Sequence, residues 1–495
     1  MFLSIDLGTT EIKALLMDSG GDIVGTAGYP LIVSRPHAGW AEQSPEDWWQ
    51  GTLHAIDKLR ENCPAALAAV RGLGLSGQMH GAVLLDRADR VLRPAILWND
   101  TRSDEQCREL ERRAPSLHRI AGNLAMPGFT APKILWVAEH EPVHFKRTAA
   151  VLLPKDYLRL CLTGDKISDL SDASGTLWLD VANRIWSEEL LMATGLSSKH
   201  MPSLIEGNES SGYLRQELAR RWGLSHPAIV AGGGGDNAAS AVGIGAVSAG
   251  SGFVSLGTSG VVFVVNDRFR PNPQSAVHAF CHALPHRWHQ MSVMLSAASC
   301  LRWVVALSGA QSEATLLAEV SALGEPARRR APLFLPYLSG ERTPHNDPAA
   351  QGVFFGLTHD TDRAALGYAV LEGVAFGLAD GWAALGATAG AVSSLSIVGG
   401  GARSNEWAQL IATVLNTPIR MHSDGQASAA LGAARLAQIA CGAAESDVCK
   451  KPKTARTFDP QPQAYVWLEE RRQRFRTLYE ATRPLFKRDV LSRTT

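Results

Sequence analysis

An excess of charge of either sign is missing from this chain of 495 residues: 48 Lys+Arg offset 48 Asp+Glu, for a formal net charge of +0. Proteins that grip nucleic acid through its phosphates carry a basic excess on a domain or stripe, so the balance argues against that class. Cysteines are few, 7 in all, scattered from Cys63 to Cys449 without a C-x-x-C pair. That usage speaks against a disulfide or zinc framework and for a reducing, cytoplasmic setting. No G-x-x-x-x-G-K-[ST] occurs, so no P-loop is expected. Asp6 interrupts the apolar start too early for a signal peptide. The one long uncharged run, Asn237 to Asn266, could cross a bilayer by length alone, but its glycines and serines break it into helix, turn and hairpin. A soluble protein with no membrane or nucleic-acid partner is expected.

What is present is length and an internal repeat. A single hydrophobic core stops growing at roughly 250–300 residues, so two domains are expected. Ile5 to Asp18 (IDLGTTEIKALLMD) and Val254 to Asp267 (VSLGTSGVVFVVND) share one pattern: an apolar strand, a Gly-Thr-Thr/Ser turn, a second apolar strand. The copies open the two halves of the chain, which points to duplication with a boundary near Gly243–Gly252. Strand-like runs (Gly72–Leu75, Ala82–Leu85, Pro227–Val230, Leu395–Val398) alternate with helical periodicity (Pro45–Leu59, Pro132–Glu139, Ala364–Leu385, Glu406–Leu415, Tyr465–Leu485). The pattern predicts two α/β domains with a cleft between them.

Two motif matches mislead. Gly72-Leu73-Gly74-Leu75-Ser76-Gly77 fits G-x-G-x-x-G, but its glycines lie within a strand and no helix follows. His140-Glu141-Pro142-Val143-His144 fits H-E-x-x-H, but Pro142 breaks the single helical face that metal binding needs.

Four glycine-rich turns remain, each at a strand end. Gly8-Thr9-Thr10 and Gly257-Thr258-Ser259 offer close-approaching backbone and hydroxyl donors, which suits phosphate oxygens, though each alone is also an ordinary tight turn. Asp6 stands where the second copy has Ser255. A carboxylate beside an anion site suggests Mg²⁺ between them, held partly through water. Lys13 on the return strand faces either the same site or solvent. The third turn, Gly399-Gly400-Gly401-Ala402-Arg403-Ser404-Asn405, suits the adenosine of ATP or, equally, helix–strand packing, with Ser404 able to cap the helix. The fourth, Gly232-Gly233-Gly234-Gly235-Asp236-Asn237, opens an Ala-rich helix. Asp236 there is either a cap or a catalytic base; four glycines exceed what capping needs and imply close approach of a ligand. For a hydroxylated acceptor, Ser76-Gly77-Gln78-Met79-His80-Gly81 concentrates polar groups at a strand end. Leu97-Trp98-Asn99-Asp100-Thr101-Arg102 adds an aromatic face, an amide, a carboxylate and a guanidinium.

The segment Gly128-Phe129-Thr130-Ala131-Pro132-Lys133-Ile134-Leu135-Trp136-Val137-Ala138-Glu139-His140 resembles the first signature of the FGGY carbohydrate kinases, of the actin/hexokinase/Hsp70 superfamily. Gly352–Leu357 and Ala369–Glu372 resemble the second, which departs at Ala365, a helical position expected to tolerate it. The stretches 76–86, 93–103, 152–160, 282–299 and 334–348 are most similar to family members that phosphorylate D-xylulose. The resemblance implies two duplicated ribonuclease H-like domains: 1–245 for sugar, first phosphate turn and Asp236; 246–445 for ATP; and 446–495 as linker and amphipathic helix. It implies an ATP- and Mg²⁺-dependent ketose kinase with Asp236 as proton acceptor and Asp6 important for activity. Met79, His80, Asn237, Trp98 and Asn99 are then the candidate sugar contacts. Gly8, Thr9, Thr10, Gly257, Thr258, Ser259, Gly400, Gly401, Ala402 and Asn405 are the candidate ATP contacts. Kinases of ribulose, gluconate or glycerol, or an ATP-driven switch of the actin or Hsp70 kind, are the alternatives, and a homodimer fits the family. Two departures are the additional glycine before Asp236 and Glu11 after the first turn, whose side chain is expected to face solvent. Asp6 is expected to lie apart from the sugar loop.

Overall fold

The computed structural model describes residues 1–423 and 429–486. Two seven-stranded mixed sheets, one in each half of the chain, form its frame. In the first, Phe2–Leu7 runs antiparallel to Glu11–Met17 and parallel to Gly72–Gly77. Ile23–Pro30 continues one side, and Ile229–Ala231 and Ser210–Tyr213 continue the other. In the second, Gly252–Leu256 runs antiparallel to Gly260–Asn266 and parallel to Leu395–Val398, flanked by Trp288–Met294 and Ile419–His422. Ile23–Pro30, Glu11–Met17, Phe2–Leu7, Gly72–Gly77 and Ile229–Ala231 lie side by side in the first sheet as Trp288–Met294, Gly260–Asn266, Gly252–Leu256, Leu395–Val398 and Ile419–His422 do in the second, with the same relative directions. The repeat read from two hairpins is therefore a repeat of whole sheets.

The hairpin strands Phe2–Leu7 and Glu11–Met17 are buried along most of their length, and burial on both faces explains the strand Gly72–Gly77, every residue of which is buried. One face of the first sheet is covered by helices Pro45–Asn62 and Pro154–Thr163. The other is covered by Ala429–Ala440, a helix belonging to the second half by sequence. Its backbone approaches so closely that a methyl on Gly74 would overlap the carbonyl oxygen of Ala433, and one on Gly432 that of Ala239. Small residues on both surfaces are the reason the halves meet here. A shared apolar cluster that includes Met79, Phe129, Phe253, Phe263 and Phe280 joins them elsewhere.

The segment 446–495, expected as linker and amphipathic helix, contains the strand Thr454–Phe458, which pairs antiparallel with Ile419–His422 at the edge of the second sheet. The strand carries no buried alternation, being exposed at four of its five residues, so periodicity could not reveal it. The following helix, Pro462–Thr482, buries Trp467, Leu468, Phe475, Leu478 and Tyr479 in the C-terminal core. The end of the expected segment, residues 487–495, lies outside the described residues.

Gly72–Gly77 is a strand, and Glu141 separates a helix ending at His140 from one starting at Pro142, so neither misleading motif has its required context. Ala365 sits in the first turn of helix Arg363–Ala384, donating its N–H to Asp362. Among the described residues, that helix alone is long and apolar enough to cross a membrane, and 83% of its apolar window is buried inside the fold.

Candidate active site

The carboxyl ends of the central strands of the first sheet bring most of the acceptor-side candidates together. Register pairs Asp6 with Lys13 across the hairpin and with Ser76 on the parallel neighbour. Ser76 donates its hydroxyl to Asp6 Oδ1 at 2.8 Å. Asp6 thus adjoins the first residue of the candidate sugar loop, contrary to the expectation that the two lie apart; parallel pairing of Phe2–Leu7 with Gly72–Gly77 is the cause. Lys13 shares the Asp6 face, where its charge lowers the pKa of that carboxylate against a larger upward push from desolvation. Glu11 is exposed, as expected, and lies across Gly28.

The first turn is held from behind by amides. Gln43 Nε2 donates to the Thr9 carbonyl at 2.7 Å, Gln78 Nε2 to Gln43 Oε1 at 3.0 Å, and Thr9 Oγ1 to Gln78 Oε1 at 3.1 Å. Trp98 Nε1 donates to Thr9 Oγ1 at 2.9 Å, so the indole lies beside this turn. Thr10 is exposed and Gly8 closes the hairpin on Glu11.

Asp236 is the first residue of helix Asp236–Gly243, and Gly235 occupies the cap position. The capping reading of Asp236 therefore fails. Its Oδ1 instead accepts from the backbone N–H of Asn237 at 2.7 Å and from Asn237 Nδ2 at 3.0 Å. Among the described residues nothing donates to Oδ2. Desolvation raises its pKa to about 6, the Asn237 N–H opposes, and the negative charge of Asp6 adds to the rise. The two carboxylates share one site.

The glycine run before Asp236 has a different cause from the one expected. Side-chain-sized space at Gly232 is filled by the Glu206 carbonyl, at Gly233 by that of Leu75, and at Gly235 by Met79 Sδ, 2.8 Å from where a Cβ would stand. Protein neighbours, not a ligand, require these glycines. The same contact places Met79 against the residue preceding Asp236.

His80 follows in the left-handed region at φ 69, which costs a non-glycine residue energy unless its neighbours impose it. They do: its carbonyl accepts from Lys133 Nζ at 2.7 Å and Thr130 Oγ1 at 3.1 Å, and its ring Nδ1 lies 2.7 Å from the Gly175 carbonyl. Nδ1 must then carry the proton, leaving Nε2 as an acceptor. Burial lowers the imidazole to about 3, with Lys133 and Arg342 contributing, so the ring is neutral. Phe129 of one half and Phe280 of the other flank it.

The run Leu97–Arg102 divides. Trp98 is 37% exposed, and Asn99 Oδ1 is buried without a hydrogen-bond partner. Asp100 and Arg102 point inward, against the expectation that their charges serve a ligand: Arg102 pairs with Asp100 at 2.7 Å and Glu42 at 2.7 Å, and covers the Trp40 ring at 3.5 Å.

The remaining candidates form a second cluster on the second sheet. Gly399 and Gly401 pack on Leu256, beside Gly257–Ser259, with Gly400, Thr258 and Asn405 exposed. Ser404 caps helix Asn405–Val414 by accepting the Trp407 N–H, and Ala402 is buried in the C-terminal core rather than exposed to a ligand. Among the described residues no hydrogen bond joins this cluster to the first.

Sequence reasoning overlooked Gln43, Lys133 and Arg342. Lys133 lies inside the signature segment Gly128–His140, which holds the His80 carbonyl through Lys133 and Thr130. Arg342 reaches His278 Nε2 at 3.2 Å and is held in no ion pair with a carboxylate among the described residues. Its quoted stretch, 334–348, was the available signal.

The duplicated sheet, with polar groups gathered at the strand ends of both copies, defines a two-domain α/β carbohydrate-kinase class. The FGGY family of carbohydrate kinases matches with its N-terminal domain over residues 1–243 and its C-terminal domain over residues 252–441. The xylulose kinase of Escherichia coli (strain K12) is 51% identical over 488 residues, 98% of this chain and 100% of the relative. That of Klebsiella pneumoniae is 52% identical over 441 residues, 89% and 90% of the two chains. A crystal structure described as a xyloylose kinase from Brucella ovis superposes with a TM-score of 0.94 at 52% identity, covering 98% and 99%. The chain belongs to the FGGY family of carbohydrate kinases.

Proposed function

We propose that this chain transfers the γ-phosphoryl group of ATP to a hydroxyl of D-xylulose, giving D-xylulose 5-phosphate. The observation that carries the mechanism is Asp236: a half-buried carboxylate with one oxygen free, raised to about 6, next to Met79 and one strand from Asp6. A base titrating near 6 is ionised at neutral pH yet basic enough to accept the ketose proton as the phosphoryl group leaves ATP. Asn237 fixes Oδ1, so Oδ2 is the accepting atom. The relatives named xylulose kinase support the choice of sugar.

Neutral His80 presents Nε2 as an acceptor for a sugar hydroxyl, and Asn99 Oδ1, buried and unpartnered, is suited to another. Met79 and Trp98 supply apolar surface. Thr9 and Thr10 on one sheet, and Thr258, Ser259 and the Gly400–Asn405 turn on the other, serve ATP. The donor set fits a hard divalent cation: Asp6 and Asp236 are two carboxylates whose charges oppose each other, and Lys13, on the Asp6 face, forms no ion pair with either among the described residues. Mg²⁺ arriving with ATP would supply positive charge for the phosphate oxygens there, with Asp6 as the residue that holds it.

Turnover measured over D-xylulose, D-ribulose, gluconate and glycerol, with wild type and Asp236→Asn, tests the reading. The expected result is highest kcat/KM for D-xylulose and a fall of about 10²–10⁴-fold in kcat for the variant. Preference for another acceptor would refute the sugar; a variant with more than about a tenth of wild-type kcat would refute the base.

A further inference from the structure

Behind Asp236 lies a buried group of charges that phosphoryl transfer does not employ. Lys155, Asp156, Asp169 and Asp172 are each 0% exposed. Lys155 Nζ stands 2.5 Å from Asp156 Oδ1, 2.7 Å from Asp169 Oδ2 and 3.2 Å from Asp172 Oδ2. The ammonium thus fills the place between three carboxylates that a metal would otherwise take. Arg159, one turn further along the same helix and also 0% exposed, donates to the carbonyls of Ala231, at 2.7 Å, and Gly232, and to Ser211 Oγ at 2.5 Å. Ser171, fully buried, donates its hydroxyl to Asp169 Oδ1 and accepts the backbone N–H of Gly235 at 3.1 Å.

Burying five charges brings little net stability, because desolvation offsets most of the attraction. What such a group can provide is one defined geometry, and the element it touches needs that. The segment Gly232–Gly235 is glycine throughout and has almost no conformational preference of its own. Its N–H groups at Gly232 and Gly233 find the carbonyls of Glu209 and Gly207, and Gly234–Gly235 pairs with Ser76–Gly77. The remaining fixed points come from Arg159 and Ser171, and the Ser171 contact falls on the residue immediately before Asp236.

We propose that Ser171, oriented by Asp169 and Lys155, and Arg159 on the preceding carbonyls are positioning residues that set where Asp236 points. The proposal rests on the reading of Asp236 as the base. Ser171 touches neither reacting group and acts through the backbone of Gly235.

The test is a double-mutant cycle on the full chain with Ser171→Ala and Asp236→Asn, reading kcat, ketose KM, the pH profile and thermal melting. Ser171→Ala is expected to lower kcat roughly 5- to 50-fold, between the loss of one hydrogen bond and an ångström of misplacement. Ketose KM should change less than about 3-fold, and the acid limb of kcat/KM should move as Asp236 changes its solvation. In the Asp236→Asn background the same substitution should alter kcat less than about 2-fold, because the base it positions is gone. Ser171→Cys, close in volume but a weaker acceptor, should fall between wild type and Ser171→Ala, and carries the same expectation if the alanine variant does not fold. Wild-type kcat and pH profile in Ser171→Ala, beside an inactive Asp236→Asn, would overturn the positioning role alone. An equal loss in both backgrounds would do so too, by showing a general structural effect. A fully active Asp236→Asn would overturn the base assignment and this proposal together.

Discussion

The pH dependence of turnover gives the sharpest check on Asp236. With a pKa of about 6 the carboxylate is about 90% ionised at pH 7 and about 10% ionised at pH 5. Only the ionised form accepts a proton, so kcat/KM should be nearly flat above pH 7 and fall about tenfold per unit below pH 6. The position of that limb has a structural cause that can be altered. Desolvation raises it and the charge of Asp6 raises it further, whereas the Asn237 N–H holds it down. Asp6→Asn removes one of the upward contributions while keeping an acceptor for the Ser76 hydroxyl. The limb should therefore move to lower pH in that variant, even as the loss of a phosphate-side carboxylate lowers the maximal rate with Mg-ATP. Initial rates of ADP release between pH 4.5 and 8.5, with the coupling enzymes verified in excess at each pH, supply the measurement. A wild-type profile flat down to pH 5, or an Asp6→Asn limb displaced upward, would refute the electrostatic account of this pair.

Gly175→Ala should weaken ketose binding more than turnover, since a methyl there stands 2.5 Å from His80 Nδ1 and 3.0 Å from Met79 Cε. Losing the 2.7 Å bond from His80 to the Gly175 carbonyl costs about 0.5–1.5 kcal/mol, roughly 2- to 13-fold in affinity by calorimetry; unchanged affinity would remove His80 from the sugar site. Gly432→Ala drives a methyl onto the Ala239 carbonyl where the halves meet, and thermal melting should show a loss of about 1–3 kcal/mol or more, whereas an unaltered melting curve would show that the two helices separate freely. If ATP bridges the clusters on the two sheets, scattering with D-xylulose and a non-hydrolysable ATP analogue should give a smaller radius of gyration, and an unchanged radius would refute closure.

Local pattern determined a good deal by itself. Apolar strands on either side of Gly-Thr turns marked both hairpins, since a hairpin is encoded by neighbours in sequence. Helices such as Arg363–Ala384 and Pro462–Thr482 were legible from periodicity, and the run Gly232–Asp236 marked a special strand-to-helix passage. Tertiary structure decided what those features are for. Gly232 and Gly233 answer to the carbonyls of Glu206 and Leu75 and Gly235 to Met79 Sδ, residues distant in sequence, so composition pointed to the place but to the wrong neighbour. Asp100 and Arg102 looked like ligand groups until Glu42 and Trp40 were seen to consume them. Parallel pairing put Asp6 beside Ser76, and thereby beside the candidate sugar loop, a relation that no local spacing encodes. The helix Ala429–Ala440 packs on the opposite half from its own sheet, and the strand Thr454–Phe458 exists because an edge was available to pair with it. Hydrogen-bonding periodicity is a short-range property of the chain, whereas desolvation, charge pairing and register are fixed only when distant segments meet; that is why the sequence marked the site and the fold assigned its parts.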